Sequence, residues 1–307
     1  MDTPAGLPLT HLPVLMNEVR ALLAPAPGQT LLDCTAGLGG HALALAADLG
    51  PGTIILNDSD PGNLAHAQSA LKAAHPAVRV LALHGNFADA PRRLREQGLA
   101  ADLILADLGF SSNQIDTASR GFSFQRDGPL DMRLDPTSPV TAAELIASTP
   151  EADLAKIIRE FGEEPAASRI ARKLVEFRRS TPISTTGQLA DIVRSVLGRR
   201  PGSIDPATRT FQAVRIAVND ELGSLSSLLS AVERGTDGSG WLKPGARVAI
   251  ISFHSLEDRL VKQSFAGLAA KGAAHLLTRK PVEGSESEVA SNPRARSAKL
   301  RAIRLAV

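Results

Sequence analysis

Leu31-Leu32-Asp33-Cys34-Thr35-Ala36-Gly37-Leu38-Gly39-Gly40-His41 is the stretch whose reading decides the fold. Two apolar residues run into an acid, three glycines follow within four positions, and a helix-forming run then extends from Ala42 to Leu49. This order predicts a strand, a tight turn and a helix start. Glycine permits a positive φ and lets a ligand come close to the main chain. A nucleotide-like ligand is the first expectation, with an ordinary β–α turn as the plain alternative.

The position of the acids narrows the ligand. Asp33 stands at the strand end, before the glycines. A second acid, Asp58, closes the next apolar run, Thr53-Ile54-Ile55-Leu56-Asn57, about where a Rossmann unit carries its ribose-binding carboxylate. No Lys-Ser/Thr pair opens the helix, so a P-loop is not expected. A dinucleotide site offers helix N-terminal amides to a pyrophosphate. A carboxylate at Asp33 opposes that anion but accepts from a ligand ammonium. The stretch therefore resembles the S-adenosylmethionine pocket of class I methyltransferases; a dehydrogenase is the alternative that Asp33 argues against.

Outward from this stretch, strand and helix patterns alternate. Strands are predicted at 30–35, 53–58, 78–83 and 102–107, and helices at 17–23, 39–49, 61–74 and 88–97. Pro61 suits a first helical turn, and Asp102–Asp107 is the continuous apolar run of a strand buried on both faces. This spacing predicts an α/β fold with a doubly wound parallel sheet. The alternation stops at 108–139, a Gly-, Ser-, Asp- and Pro-rich stretch too long for a plain connection and so expected to be functional. Helical patterns follow at 141–148, 151–161, 166–179, 186–197 and, as one long helix, 206–233. A buried strand returns at 247–252, then a helix at 254–270 and an extended segment at 300–305. The economical division is a discontinuous Rossmann-like domain, 1–110 and 216–307, interrupted at 111–215 by a loop and a helical substrate-recognition domain.

Composition bounds the function. A chain of 307 residues with 43% hydrophobic content can bury a large core. Cys34 is the single cysteine, which rules out an internal disulfide and a cysteine zinc site and fits a reducing compartment. The N-terminus has no basic start and no long apolar run, and no window approaches the ~18–20 apolar residues of a membrane span. A soluble, cytoplasmic protein without membrane contact is expected. Net charge is +2, but residues 1–110 hold 6 Lys/Arg against 10 Asp/Glu, residues 156–215 hold 12 against 6, and residues 216–307 hold 13 against 9. The basic later segments suggest a polyanionic partner, with solvated helix faces as the plain alternative. Nine Phe, one Trp and no Tyr leave no broad base-stacking platform. His11, His41, His84 and His254 form no i, i+4 pair and have no cysteine partner, so no metal is expected.

Ligands of open α/β sheets bind beyond the carboxyl ends of the strands. That places Gly37–His41, Asp58, Gly85–Phe87 and Asp107-Leu108-Gly109-Phe110 together. The last tetrapeptide resembles a pattern in methyltransferases acting on exocyclic amines of bases: an acid or Asn, two turning residues and an aromatic after strand four. The lone pair of such an amine is delocalised into the ring, so the amine is a poor nucleophile. A carboxylate and a carbonyl accepting its N–H bonds orient it and raise its electron density, while the aromatic stacks on the base. A loop-capping acid is the plain alternative for Asp107.

Beyond this point the motifs are long. Asp107-Leu-Gly-Phe-Ser-Ser-Asn-Gln114, the run Arg120–Arg133, Asp205–Ile216, Ile251–Arg259 and Asn292–Leu300 are similar to the signature of the MraW (RsmH) family, from about His11 to Leu305. The resemblance implies a class I methyltransferase, a Rossmann-like doubly wound sheet with an inserted helical domain. It implies S-adenosylmethionine-dependent N4-methylation of a cytidine in the decoding centre (P site) of bacterial 16S rRNA, by direct in-line transfer. Carried over by motif, the cofactor pocket is Gly39, Gly40, His41, Asp58, Phe87, Asp107 and Gln114; the strand-one reading adds Asp33 and Gly37. Asp107 is the amine orienter and Phe110 its stacking neighbour. Ser111, Ser112, Arg120, Arg199, Arg200, His254, Arg294 and Arg296 are the substrate-side residues, the arginines as phosphate contacts that add affinity rather than base specificity. The partner is the small ribosomal subunit or its rRNA, and whether the protein forms a homodimer is left open. The sequence departs from the family at Asn57, where an apolar residue is expected, and at Asn113, where proline is common.

Three features stay open between chemistry and structure. Glu257 and Asp258 suit the first turn of a helix capped by Ser255, while His254 is balanced between a substrate-side group and a structural one. Phe122 and Phe124 are either a wedge against RNA or the core of an ordered loop, the core being favoured. A catalytically silent RNA-binding protein is the alternative from another class, and Gly37–His41 with Asp107–Phe110 argue against it.

Overall fold

The computed structural model describes residues 13–198, 205–235 and 240–306. The chain makes two compact units, 1–109 with 226–307, and 110–225. The second crossing falls inside the helix Glu221–Gly235, later than residue 216.

In the first unit, β1 (Thr30–Asp33), β2 (Thr53–Asp58), β3 (Arg79–His84), β4 (Ala101–Asp107), β5 (Leu242–Ser252), β6 (Ala274–Leu276) and β7 (Lys299–Leu305) form one sheet. Its order is β3-β2-β1-β4-β5-β7-β6. β1 to β5 are parallel; β1, β2 and β4 are the unbroken apolar runs of strands covered on both faces by crossover helices, whereas the edge strand β3 buries only Leu83. Leu31, Leu103, Leu105, Ala249 and Ile251 point to one face and pack with Val19, Leu23, Leu45 and Leu71 from the helices Met16–Leu23, Gly40–Leu49 and Pro61–Ala74. The alternate residues Leu32, Ile55, Ile104, Val248 and Ile250 are fully buried on the other. β2 and β3 lie on one side of β1, and β4 and β5 on the other. The gap between the carboxyl ends of β1 and β4 is therefore the switch point at which such sheets hold ligands.

Three expectations are corrected. The sheet is mixed rather than wholly parallel: β7 runs antiparallel to both β5 and β6, returning between them after the helix Ser255–Ala270 has carried the chain across. β6 itself was not predicted, because only Ala274 of its three residues is buried. β5 starts at Leu242 rather than Arg247; Pro244 and Gly245 (φ +72°) interrupt the pattern where the register against β4 shifts between Ala101 and Leu103. Among the described residues no helix is long and apolar enough to cross a membrane.

The second unit is helical. Ala142–Ser148, Glu151–Gly162, Ala167–Arg178, Thr186–Leu197 and Ala207–Asn219 bury Ile146, Leu154, Ile158, Ile170, Leu174, Leu189, Val193, Phe211 and Val214 against one another. Capping boxes start two of them, Thr141 with Glu144 and Thr185 with Gln188. The single helix predicted at 206–233 is two: Asp220, at φ +46°, ends the first in the left-handed conformation, and its N–H donates to Ile216 O.

Candidate functional site

β1 delivers Asp33 to the switch point nearly sealed from solvent, its Oδ1 accepting the Thr35 N–H at 3.2 Å. Burial pushes this carboxyl up to about 7, an effect that nearby His41 only partly offsets. The turn that follows is fastened at both ends: Ala36 N–H donates to Asn57 O at 2.8 Å and Gly39 N–H to Ala36 O at 2.7 Å. Gly39 has φ +87°, and a Cβ there would lie 3.1 Å from the Ala67 Cβ, so conformation and helix packing both demand glycine. Gly40 opens the helix Gly40–Leu49, and His41 lies buried in its first turn.

β2 delivers Asp58, which holds the glycine loop: its Oδ2 accepts Gly37 N–H at 2.7 Å and its Oδ1 accepts Asp60 N–H at 2.8 Å. Burial pushes Asp58 up to about 6 while those two amides pull it back down. Asn57, the departure from the apolar pattern, is fully buried, and its amide donates to Cys34 O at 3.1 Å and Gly85 O at 2.9 Å. One side chain thus ties the exit of β1 to the exit of β3. There Phe87, half-buried, opens a short 3₁₀ turn to Asp89 that Asn86 caps through Ala88 N–H at 2.9 Å.

β4 ends at Asp107. Its N–H donates to Thr35 Oγ1 at 2.7 Å, and its Oδ2 lies 3.5 Å from His41 Nε2. Asp107 Oδ1 and both ring nitrogens of His41 are buried without a hydrogen-bond partner among the described residues. Buried polar atoms are normally paired, so these three ask for polar groups from a ligand. Three carboxylates beside a glycine turn suit a cationic, hydroxyl-bearing ligand and oppose a pyrophosphate.

The model of the MraW methylase family matches residues 8–306. The chain belongs to the MraW methylase family. The ribosomal RNA small subunit methyltransferase H of Syntrophotalea carbinolica is 49% identical over 313 residues, spanning 96% of this chain and 97% of that protein. The protein of the same name from Methylobacterium sp. (strain 4-46) is 47% identical over 311 residues, spanning 95% and 90%. With the sheet order above, membership makes this the α/β, Rossmann-like fold of a methyltransferase.

The family motifs that continue into the second unit are packed among themselves there. The Phe110 ring stacks on Phe122 with centroids 5.5 Å apart, and the Arg215 guanidinium lies 4.9 Å from the Phe110 centroid. Arg215 is itself held by both Glu221 oxygens at 2.8 Å. Ser111 and Gln114 form a capping box in which Gln114 Oε1 accepts Ser111 N–H at 3.0 Å; Ser112 and Gln114 are buried. Asn113 Oδ1 accepts the Ser111 hydroxyl at 2.6 Å, a bond proline could not make. Arg120 turns into its own loop, donating to Arg133 O at 2.9 Å and Leu134 O at 3.0 Å. Phe122 is part of the helical core, and Phe124 packs edge-on against Phe211 at 4.7 Å.

Back in the first unit, the helix at 254–270 is capped by His254 rather than Ser255. His254 is extended (φ −138°, ψ 164°), its Nδ1 accepts Glu257 N–H at 3.4 Å, and Glu257 Oε2 accepts Phe253 N–H at 2.9 Å. Asp258 is committed to a buried ion pair with Arg301, at 2.6 and 3.1 Å. Arg294 and Arg296 are exposed on the 3₁₀ turn Pro293–Ser297. His11, Arg199 and Arg200 lie outside the described residues. Sequence reasoning missed Thr35 altogether; a hydroxyl two residues after a strand-end acid was the available signal.

Proposed function

We propose that this protein transfers the methyl group of S-adenosylmethionine to N4 of a cytidine in the decoding centre of bacterial small-subunit rRNA. The observation that carries the reading is the cluster at the switch point: Asp33, Asp58 and Asp107 around the Gly37–His41 turn, with the Asp107 carboxylate only partly engaged. Two relatives at 47% and 49% identity whose names specify small-subunit rRNA methylation support it.

When bound, S-adenosylmethionine supplies an already activated sulfonium methyl, so no metal is required. Asp33 faces the cationic end of that cofactor, Asp58 takes its ribose hydroxyls, Gly37, Gly39 and Gly40 allow close approach, and Phe87 covers its adenine. Gln114 keeps the cofactor role that the family motif assigns it. Asp107 accepts N–H bonds from the exocyclic amine and holds its nitrogen in line with the methyl group; Phe110, three residues on, stacks against the base. The target nucleotide has to leave its stack to reach a pocket at strand ends. Ser111, Ser112, Arg120, His254, Arg294, Arg296, Arg199 and Arg200 are the substrate-side set, the arginines through phosphates. The small ribosomal subunit is the partner and the cytoplasm the compartment.

Nucleotide mapping of rRNA from small subunits treated with the enzyme and labelled cofactor tests the reading. Label on N4 of one decoding-centre cytidine is expected; label on a ring carbon or a ribose oxygen would refute it.

A further inference from the structure

We propose that Thr35 is a positioning residue: its hydroxyl stands in for a ladder bond between β1 and β4 and sets where Asp107 lies relative to Asp33. The assignment rests on the methyl-transfer reading above and adds to it the joint between the cofactor-facing acid and the amine-facing one.

The hydrogen bonds at the switch point carry it. β1 and β4 run in register as far as Asp33 and Leu105, and the Cys34 N–H donates to Leu105 O at 2.8 Å. Parallel strands donate and accept in turn, so the next bond of a regular ladder would run from Asp107 N–H to Cys34 O. Both β1 groups that would continue the ladder are taken by β2 instead. Cys34 O accepts from the Asn57 amide at 3.1 Å, and Ala36 N–H donates to Asn57 O at 2.8 Å. β1 therefore parts from β4 where the crevice opens. A main-chain amide left unpaired there would carry a full desolvation cost, and the Thr35 hydroxyl meets the Asp107 N–H at 2.7 Å.

Thr35 is itself fixed. Its own N–H donates to Asp33 Oδ1 at 3.2 Å, and its β-branched side chain has few rotamers to choose from. On the far side of β4, Leu108 N–H donates to Ile251 O at 3.0 Å. Asp107 is thus seated on β5 by main chain and on β1 by the Thr35 side chain.

One residue therefore meets both acids, Asp33 through its amide and the Asp107 main chain through its hydroxyl. Asp33 faces the cationic end of the cofactor and Asp107 orients the amine, so the spacing between them sets the line from the amine nitrogen to the methyl carbon. Loss of that spacing acts on the transfer step rather than on the binding of either partner.

Thr35→Val keeps the branched shape and removes the hydroxyl, whereas Thr35→Ser keeps the hydroxyl. Thr35→Val is expected to lower the single-turnover rate at saturating S-adenosylmethionine and small subunits by about 10- to 100-fold. Its calorimetric affinity for S-adenosylmethionine should stay within about threefold of wild type. Thr35→Ser is expected to recover most of the rate. In an Asp107→Ala background Thr35→Val should slow transfer no further, while lowering the urea midpoint as much as it does in wild type. A threonine with a merely structural role would not give that split. A Thr35→Val rate within about threefold of wild type would overturn the assignment, as would Thr35→Ser being as slow as Thr35→Val, or an additive loss of rate in the double variant. The bond is read apart from turnover by amide hydrogen exchange in the full-length protein without ligand. The Asp107 N–H should exchange slowly in wild type and Thr35→Ser, and at least about tenfold faster in Thr35→Val; equal exchange in all three would overturn it. Wild-type protein that protects this amide yet transfers no methyl group would sink the functional reading and leave the bond standing.

Discussion

Asp33, proposed above to face the cofactor, costs the protein that carries it. Its carboxyl goes from 3.8 to about 7 on folding because burial strips its water. Below pH 4 it is protonated in both states and contributes nothing; above pH 7 the folded state holds a charge it resists, and stability is lost across the interval. Asp33→Asn should therefore stabilise the ligand-free protein at pH 8 by about 2–4 kcal/mol in urea unfolding, with no gain at pH 4, while abolishing cofactor binding. The same ionisation governs affinity: a cationic ligand needs the charged form, so its affinity should rise between pH 6 and 8, by at most about tenfold per unit, and level off above. A flat calorimetric profile over that range would separate Asp33 from the ligand. Asn57 was visible in the sequence as an exception, but only its two carbonyl partners, Cys34 O and Gly85 O, give the exception a purpose. Asn57→Leu strands both, and should cost about 2–4 kcal/mol of stability and loosen the loops that carry Gly37 and Phe87. Partners of this kind are set by tertiary approach; for Thr35 the sequence offered only a hydroxyl two residues after the strand-end acid, and nothing local pointed to the Asp107 N–H that it accepts.

Elements were legible in proportion to how much apolar surface they bury. β1, β2 and β4 are continuous hydrophobic runs; the ends of β2 and β4, Asp58 and Asp107, were placed to the residue, while β1 stops at Asp33, two residues before the predicted 35, where the turn begins. β6 is three residues long with His275 and Leu276 exposed, so it carries no pattern, and it exists because β7 offers it an edge. The break at Asp220 was hidden because helical periodicity runs on through it; only its positive φ reveals two helices. The cap of Ser255–Ala270 was misassigned for a related reason: serine is the commoner cap, and the imidazole of His254 takes the role through its extended backbone. That helix is joined to β7 by Asp258 and Arg301, side chains 14% and 9% exposed. Arg301→Met leaves a buried carboxylate alone and should cost about 3 kcal/mol; adding Asp258→Leu should return much of it. A double variant no more stable than Arg301→Met would show that the pair contributes shape rather than charge compensation.

At the scale of the whole molecule the charge is divided as the sequence counts divide it, acidic before residue 110 and basic after 156. Small subunits met through phosphates release counter-ions, so their affinity for this protein should fall at least about tenfold between 50 and 200 mM salt. Arg294→Ala with Arg296→Ala should lower the slope of that dependence by roughly 1–2 without altering which cytidine is modified. An unchanged slope would remove the 3₁₀ turn Pro293–Ser297 from the contact. The fold and the placement of Asp107 at the end of β4 were legible because both follow from strand ends and glycine turns. The second unit's aromatic and arginine interactions were not, since Phe110, Phe122 and Arg215 come together only through helical packing.

The most direct measurement is methyl transfer from labelled S-adenosylmethionine to small subunits that lack the modification, comparing wild type with Asp107→Ala and measuring cofactor affinity of both. The account predicts label at N4 of one cytidine with wild type, loss of transfer by about a thousandfold or more in Asp107→Ala, and cofactor still bound by the variant. Transfer that survives in Asp107→Ala, or wild type that labels neither subunits nor free rRNA, would contradict it.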